Sequence, residues 1–507
     1  MSVFQSISLL LKKGLDASLI EHQDCLYVHN RVLSLLGLET YEAPQNVSID
    51  KSIPDLLEEL TSYAVQTGLI GDLEDEKAIL SSKIMDCFVS KPSEINHQFY
   101  TYYQESPEAA TDYFYQLSKD SNYIQMKHIS KNIHYKSPTP YGELDITINL
   151  SKPEKDPEQI KKERELKKDL NYPKCLLCVE NEGYPGRIGY PSRSNHRLIK
   201  VPLEGENWFL QYSPYVYYNE HSIFLAEEHR DMKIDRSTFE RLTAFVEKFP
   251  HYFIGSNADL PIVGGSILSH DHYQGGRFEF AMTKAKDDFT FQLRGYSEVQ
   301  AAVVKWPMSV IRLRSRNRTE LVDCASFILQ AWKSYNDPNA DIYAFSGDIP
   351  HNTITPIARI RDGLFEIDLV LRNNRTTENY PMGIFHPHQD AHHIKKENIG
   401  LIEVMGLAVL PARLKTELEE IKNYLLNEPS EIADYHLPWA QEIKERYITI
   451  DQENVSSIVD DELGKKFLRI LEDAGVFKMD NQGREAFNRF IYRLKNDKAI
   501  DIRLKQA

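Results

Sequence analysis

Apolar residues recur at three- and four-residue spacing through the first third of the chain. Asp55-Leu56-Leu57-Glu58-Glu59-Leu60-Thr61-Ser62-Tyr63-Ala64-Val65 has this pattern, and so does Ala109–Leu117. It is the period of an amphipathic helix, and it predicts a mainly helical N-terminal region over residues 1–165. Gly142-Glu143-Leu144-Asp145-Ile146-Thr147-Ile148-Asn149-Leu150 alternates instead, as a half-buried strand does. Residues 151–170 are charged and punctuated by proline, which predicts a linker or an exposed helix. Beyond Tyr172 short apolar runs dominate: Trp208–Tyr212, Ser222–Ala226, Ser309–Leu313 and Leu364–Leu371 read as strands. Helices are expected at 235–249 and around 319–335, and helix dominates again from about 398. The pattern is that of an α+β protein. It predicts two mixed antiparallel sheet units, 166–300 and 301–425, between a helical N-terminal region and a helical C-terminal region over 426–507.

The polar positions of one run change this picture. Ser256-Asn257-Ala258-Asp259 leads through Gly264-Gly265-Ser266 into Ser269-His270-Asp271-His272-Tyr273-Gln274-Gly275-Gly276. In a strand, residues two apart share a face, so His270, His272 and Gln274 are expected in one row. The Gly264-Gly265-Ser266 turn offers backbone N–H groups to an anion. A neutral imidazole attacks phosphorus well and leaves a labile phosphoramidate suited to group transfer, so His272 is the candidate nucleophile. Gln274 and the glycine turn would stabilise charge on the non-bridging oxygens. The bland alternative for a lone histidine, a satisfied polar core group, is weakened by two polar neighbours on the same face.

Composition narrows the class. The chain is 507 residues long, 41% hydrophobic and 27% charged, with a formal net charge of −15. That is an ordinary globular composition, and the acidic balance argues against a general nucleic-acid binder. No apolar run is long enough for a membrane span. Met1–Ser6 lacks the features of a secretion signal, which predicts a cytoplasmic protein. The five cysteines are Cys25, Cys87, Cys175, Cys178 and Cys324. An odd, sparse set is no disulfide framework. Cys25, Cys87 and Cys324 are expected in the core. Cys175-Leu176-Leu177-Cys178 means zinc, a redox pair or chance. The turns around it disfavour a thioredoxin-like pair, and His229 and His270 are candidates to complete a zinc site.

A second cluster, Phe385-His386-Pro387-His388-Gln389-Asp390-Ala391-His392-His393, puts four histidines within eight residues. Metal binding, substrate contact and a polar loop are all open, with the non-metal reading favoured. Lys395-Lys396 beside it could meet a sugar phosphate or form a solvated basic edge. Arg187, Arg193 and Arg197 either neutralise phosphates or pair with carboxylates.

Several of these segments, in this order, resemble the galactose-1-phosphate uridylyltransferases, most closely their second, bacterial type. They are Cys175–Arg187, Gln211-Tyr-Ser-Pro-Tyr215, Asn219-Glu-His-Ser222, Phe249–Asp259, Ser266–Gly276, Phe385-His-Pro-His388 and His393–Gly400. The resemblance spans essentially the whole chain, with a wider relation to histidine-triad proteins. It implies two histidine-triad-like sheet units and transfer of UMP from UDP-glucose to galactose 1-phosphate through a uridylyl-histidine. It implies His272 as the uridylylated residue, with Gln274 as its partner. It implies one structural zinc on Cys175, Cys178, His229 and His270, with His221 as the substitute for His229. Asn257, Ser266 and Gln274 would touch the phosphates, Asn195 the uridine ribose, and Lys396 and Glu403 the hexose side. A homodimer is expected, since the first family type completes its active site that way. That type has proline where this chain has Asp271, and a shorter spacing from the asparagine to the histidines. The long helical N-terminal region is also absent from it. Two alternatives remain from the residues alone: a histidine-triad nucleotide hydrolase or phosphorylase, and a non-catalytic zinc-bearing scaffold.

Overall fold

The computed structural model describes residues 2–43, 50–151 and 170–496. The expected linker or exposed helix at 151–170 lies almost wholly outside the described residues. The described strands, in chain order, are β1 (Ile133–Thr139), β2 (Gly142–Ile148), β3 (Ile199–Leu203), β4 (Glu206–Tyr212), β5 (Ser222–Ala226), β6 (Phe253–Gly255), β7 (His272–Gly276), β8 (Asp287–Phe291), β9 (Gln300–Val304), β10 (Val310–Ser315), β11 (Phe345–Ser346), β12 (Ile349–Pro350), β13 (Asn352–Arg361), β14 (Leu364–Asn373) and β15 (Leu407–Leu410). Helices and antiparallel sheets are mixed, as the α+β expectation requires. No helix among the described residues is long and apolar enough to cross a membrane.

The chain forms two compact units. The first comprises residues 1–131, 151–216 and 220–229. Four of its helices, Val3–Asp16, Cys25–Leu35, Ile53–Gln66 and Glu74–Asp86, bury one core that includes Leu10, Val32, Leu57 and Ile84. The Ile53–Gln66 helix starts where Ser52 Oγ accepts from Asp55 N and Pro54 occupies the first turn. It buries Leu56, Leu57, Leu60 and Ala64, the stripe its sequence spacing predicts. Cys25 and Cys87 are only half-buried, Cys87 packing at the edge of this core; Cys324 is fully buried. Strands β3, β4 and β5 form an antiparallel meander in this unit. The free edge of β3 is closed by the helix Pro92–Tyr103. Asn96 Nδ2 donates to Leu198 O at 2.8 Å, and Lys200 N donates to Asn96 Oδ1 at 2.8 Å. One amide side chain thus takes the place of a neighbouring strand.

The second unit comprises residues 132–150, 217–219 and 230–507. Its main sheet runs β7-β6-β13-β14-β10-β9-β8, with neighbouring strands antiparallel. The sheet continues across residue 300, because β6 pairs with β13 and β8 with β9. A smaller sheet joins β1 and β2 antiparallel and adds β15 parallel to β2. The helix Arg236–Lys248 is capped by Asp235, and Arg318–Lys333 by Asn317, both within or beside the spans that periodicity predicts. Charges are buried in the centre of the sheet. Arg312 Nε reaches Asp368 at 2.6 Å, and Arg359 Nε reaches Glu366 at 2.6 Å. Burial pushes the Asp368 carboxyl up, but Arg312 and Arg359 outweigh it and hold it below the usual carboxylate range.

Candidate active site and metal centre

In the first unit Cys175 and Cys178 face each other with Sγ atoms 3.4 Å apart, and Cys178 Sγ lies 3.1 Å from His229 Nδ1. A disulfide is about 2.05 Å long, so no disulfide joins the two. A tetrahedral zinc with bonds of about 2.0–2.3 Å needs donors about 3.5 Å apart, a few tenths of an ångström wider than these. The knuckle is fastened from behind. Asn181 Nδ2 donates to the Cys175 and Cys178 carbonyls, each at 2.8 Å, and Tyr190 donates to Asn181 Oδ1 at 2.8 Å. Such outer contacts orient ligands. Burial, and then the neighbouring Cys175, push the Cys178 thiol up to about 12. Without a metal the Cys178 thiol therefore stays protonated, and a divalent cation would reverse that. His270 belongs to the second unit and is fully buried. Within the first unit Cys175, Cys178 and His229 bring three donors together that could serve a metal ion. His221 is not in that set.

His272 opens β7 and is buried. Its Nδ1 sits 2.8 Å from the His270 carbonyl oxygen. A carbonyl only accepts, so Nδ1 carries the hydrogen and Nε2 keeps its lone pair. Burial lowers the ring to about 4, which keeps it neutral. Gln274 follows on the same face, opposite Gly255 in register. Asp271 points the other way. It is buried and accepts from Arg230 Nε at 3.3 Å, with Arg241 Nη1 at 3.7 Å. Arg241 also donates to Tyr273 OH at 3.1 Å. These arginines explain how an aspartate stands between the two histidines without disturbing their face.

The turn before β7 is packed hard. A Cβ on Gly264 would meet the Ala258 carbonyl oxygen at 2.5 Å, and one on Gly265 would meet Asn257 Nδ2 at 2.7 Å. Ile262 holds a φ of 73°, unusual for a branched residue. Strained backbone of this kind clusters at functional sites.

Residues 18–231 match the family described as galactose-1-phosphate uridyl transferase, N-terminal domain. Residues 245–441 match its C-terminal domain. The chain belongs to the galactose-1-phosphate uridylyltransferase family. It is 55% identical to "Galactose-1-phosphate uridylyltransferase 1" of Streptococcus pneumoniae serotype 4, over 92% of this chain and 94% of that one. It is 52% identical to "Galactose-1-phosphate uridylyltransferase" of Clostridium perfringens strain 13, over 96% and 97%. Among solved structures, yeast Ap4A phosphorylase Apa2 aligns with a TM-score of 0.33 at 11% identity, covering 69% of this chain and 95% of that one.

Within this uridylyltransferase-family chain the expected substrate contacts fall into two groups. Ser266 and Lys396 are exposed. Asn257, Asn195 and Glu403 are buried and already engaged. Asn257 Oδ1 accepts from Leu401 N at 2.9 Å, and Asn195 Nδ2 donates to Ser121 O at 2.8 Å. Glu403 accepts from Gly400 N at 3.1 Å and pairs with Lys395 Nζ at 2.9 Å. Lys395, not Lys396, therefore neutralises that carboxylate. Arg197 is spent on Asp86 and the Ser90 and Ser194 carbonyls, and Arg187 stacks on Tyr190. Sequence reasoning missed Asn181, Tyr190, Arg230 and Arg241. Asn181 alone left a signal, three residues beyond Cys178.

The second histidine cluster does not converge. His388 Nε2 lies 3.1 Å from Ile384 O, and His392 Nε2 lies 2.8 Å from Pro387 O. His388 Nδ1 approaches Asp473 at 3.4 Å. Among the described residues no group of metal-ligating side chains converges there.

Proposed function

We propose that the protein transfers UMP from UDP-glucose to galactose 1-phosphate in two steps on His272. The observation that carries this reading is the His270 carbonyl on Nδ1, which leaves the Nε2 lone pair for phosphorus. Nε2 attacks the α-phosphorus of UDP-glucose. A P–N bond forms as the bond to the bridging oxygen breaks, and glucose 1-phosphate leaves with the electron pair. A phosphate oxygen of galactose 1-phosphate then attacks the same phosphorus, the P–N bond breaks, and UDP-galactose departs. Gln274 and the turn at Gly264-Gly265-Ser266 face charge that develops on the non-bridging oxygens in both steps. Asn195, Asn257, Lys396 and Glu403 serve the substrates, the buried ones by shaping the pocket walls.

Zinc on Cys175, Cys178, His229 and His270 is part of the reading, in a structural role. Four protein ligands leave no open position for substrate. The chain's own part is to hold His270, whose carbonyl sets the His272 tautomer. The protein is cytoplasmic in this reading and acts as a homodimer. Mass spectrometry of the intact protein after UDP-glucose alone tests the chemistry. One UMP on His272 is expected, with a single stoichiometric burst of glucose 1-phosphate. Steady UMP release would favour a hydrolase, and an adduct within 386–393 would overturn the choice of nucleophile.

A further inference from the structure

The peptide between His270 and Asp271 is trans, so its C=O and N–H point in opposite directions. The carbonyl faces His272 Nδ1 at 2.8 Å. The N–H of the same unit, on Asp271, donates to the Arg230 carbonyl at 2.7 Å. One rigid plate thus runs from Arg230 to the reacting ring. Turning it would break both hydrogen bonds at once. A donor engaged at one end also polarises the plate and makes its carbonyl a stronger acceptor.

The same two residues are joined a second time through their side chains. Arg230 Nε lies 3.3 Å from Asp271 Oδ2, and Arg241 Nη1 lies 3.7 Å from that oxygen. The Asp271 side chain is 6% exposed, so water and salt screen the pairing little. Arg241 comes from the helix Arg236–Lys248. The segment that carries Arg230 is itself fastened along its length. Met232 N donates to Leu268 O, Ile234 N to Asp259 Oδ2 and Lys333 Nζ to Ile234 O, each at 2.8 Å. Neighbouring residues of an extended chain face opposite ways, so Asp271 acts on His272 through the plate and not by contact.

We propose that Arg230 and Asp271 are positioning residues, which clamp the His270–Asp271 peptide so that its carbonyl keeps His272 in the Nδ1–H tautomer. The proposal rests on the reading of His272 as nucleophile. In the other tautomer Nε2 would carry the hydrogen and have no lone pair for phosphorus. The backbone bond gives the plate its direction, and the ion pair keeps the two segments close enough for that bond. Without the carboxylate, Arg230 and Arg241 would face each other with no anion between them, which drives the Arg230 segment away from the plate.

Nitrogen-15 NMR of histidine-labelled protein reads the tautomer with no substrate present, and the His272 signals are assigned by their loss in His272→Ala. Wild type should show a protonated Nδ1 and a bare Nε2. In Asp271→Ala both nitrogens should average between the two states. Rapid-quench uridylylation by UDP-glucose should slow in this variant by about 10²-fold, short of the ~10⁴-fold loss that a wholly wrong tautomer brings. The UDP-glucose concentration at half-maximal rate should not change. Asp271→Asn, which keeps an oxygen for Arg230 Nε, should recover most of both signals. A wild-type tautomer in Asp271→Ala overturns the proposal, whatever the rate. So does a tautomer change that disappears when zinc content is restored. If Asp271→Ala does not fold, Arg230→Gln, which keeps the backbone carbonyl and removes the guanidinium, decides by the same two readings. A wild type that takes no UMP on His272, with the tautomer still dependent on Asp271, would sink the transfer reading alone.

Discussion

His270 to Gln274 and His386 to His393 are both rich in imidazole, and they differ in what holds each ring. On β7 the His272 ring is fixed through one nitrogen by the backbone two residues away, and the other nitrogen is left to react. In the second cluster the reachable nitrogens of His388 and His392 turn onto carbonyls of their own loop. Histidine density is therefore a poor guide to chemistry. The side of the ring that the backbone occupies decides what the other side can do.

The sharpest way to break this comparison is to remove one ring from each group. His272→Ala should lower turnover by about 10⁴–10⁶-fold, the scale seen when a covalent nucleophile is removed. His392→Ala should cost less than about tenfold, because its ring only closes a loop. Steady-state rates on the two variants, with melting curves to show that both fold, decide it. Near-normal turnover in His272→Ala would end the assignment.

Metal content separates the groups next. Zinc bound at about one per chain should fall to near none in Cys175→Ser and stay at one in His388→Ala. Asn181→Ala should weaken the metal by about 10–100-fold, since it frees the Cys175 and Cys178 carbonyls. Elemental analysis after dialysis against graded chelator measures all three. Zinc undiminished in Cys175→Ser would count against the Cys₂His₂ set.

A smaller effect belongs to the third member of the β7 row. Gln274→Ala should slow each half-reaction by about 10²-fold, as loss of one charge-stabilising donor does. Rapid-quench measurement of uridylylation and of its reversal compares them. Slowing confined to one half-reaction would mean that Gln274 reads one sugar phosphate rather than the phosphorus.

How much of this was legible depended on the range of the interactions. Period-2 alternation placed β2, and period-3.6 spacing placed Ile53–Gln66 and Arg236–Lys248, because those patterns are local. The strand carrying His272 and Gln274 was legible for the same reason, although it starts at His272 and leaves His270 before it. The expected contacts Asn195, Asn257 and Glu403 were spoken for by Ser121, Leu401 and Lys395, and two of those partners lie far along the chain. The Arg230 and Arg241 pair on Asp271 was equally hidden, since 30 residues or more separate the partners. The edge closure of β3 by Asn96 could not be read from an isolated asparagine in a helix.

The mildest test concerns the ground on which the second cluster rests. Lys478 Nζ donates to the Glu472 and Asp473 carbonyls at 3.0 and 2.8 Å, closing the helix Val455–Ala474, and it lies over the Phe385 ring. Asp473 in turn accepts from the His388 backbone N–H at 3.2 Å. Burial lowers the Lys478 ammonium from 10.5 to about 8, against the pull of Asp473. Between pH 8 and 10.5 the unfolded chain therefore holds a proton that the folded chain has released. Stability gains with pH across that window, by at most about 1.4 kcal/mol per pH unit from this group. Relative to Lys478→Met, which has no charge to bury, the wild type should gain about 1–2 kcal/mol between pH 8 and 9.5. Urea midpoints of both proteins at several pH values measure the difference. The burst on His272 should be the same in both, because this lysine supports the loop of the second cluster and not the strand of the first. Parallel pH profiles for the two proteins would show that Lys478 keeps its ordinary affinity for the proton. The loop after Phe385 would then rest on a solvated ammonium rather than on a buried one.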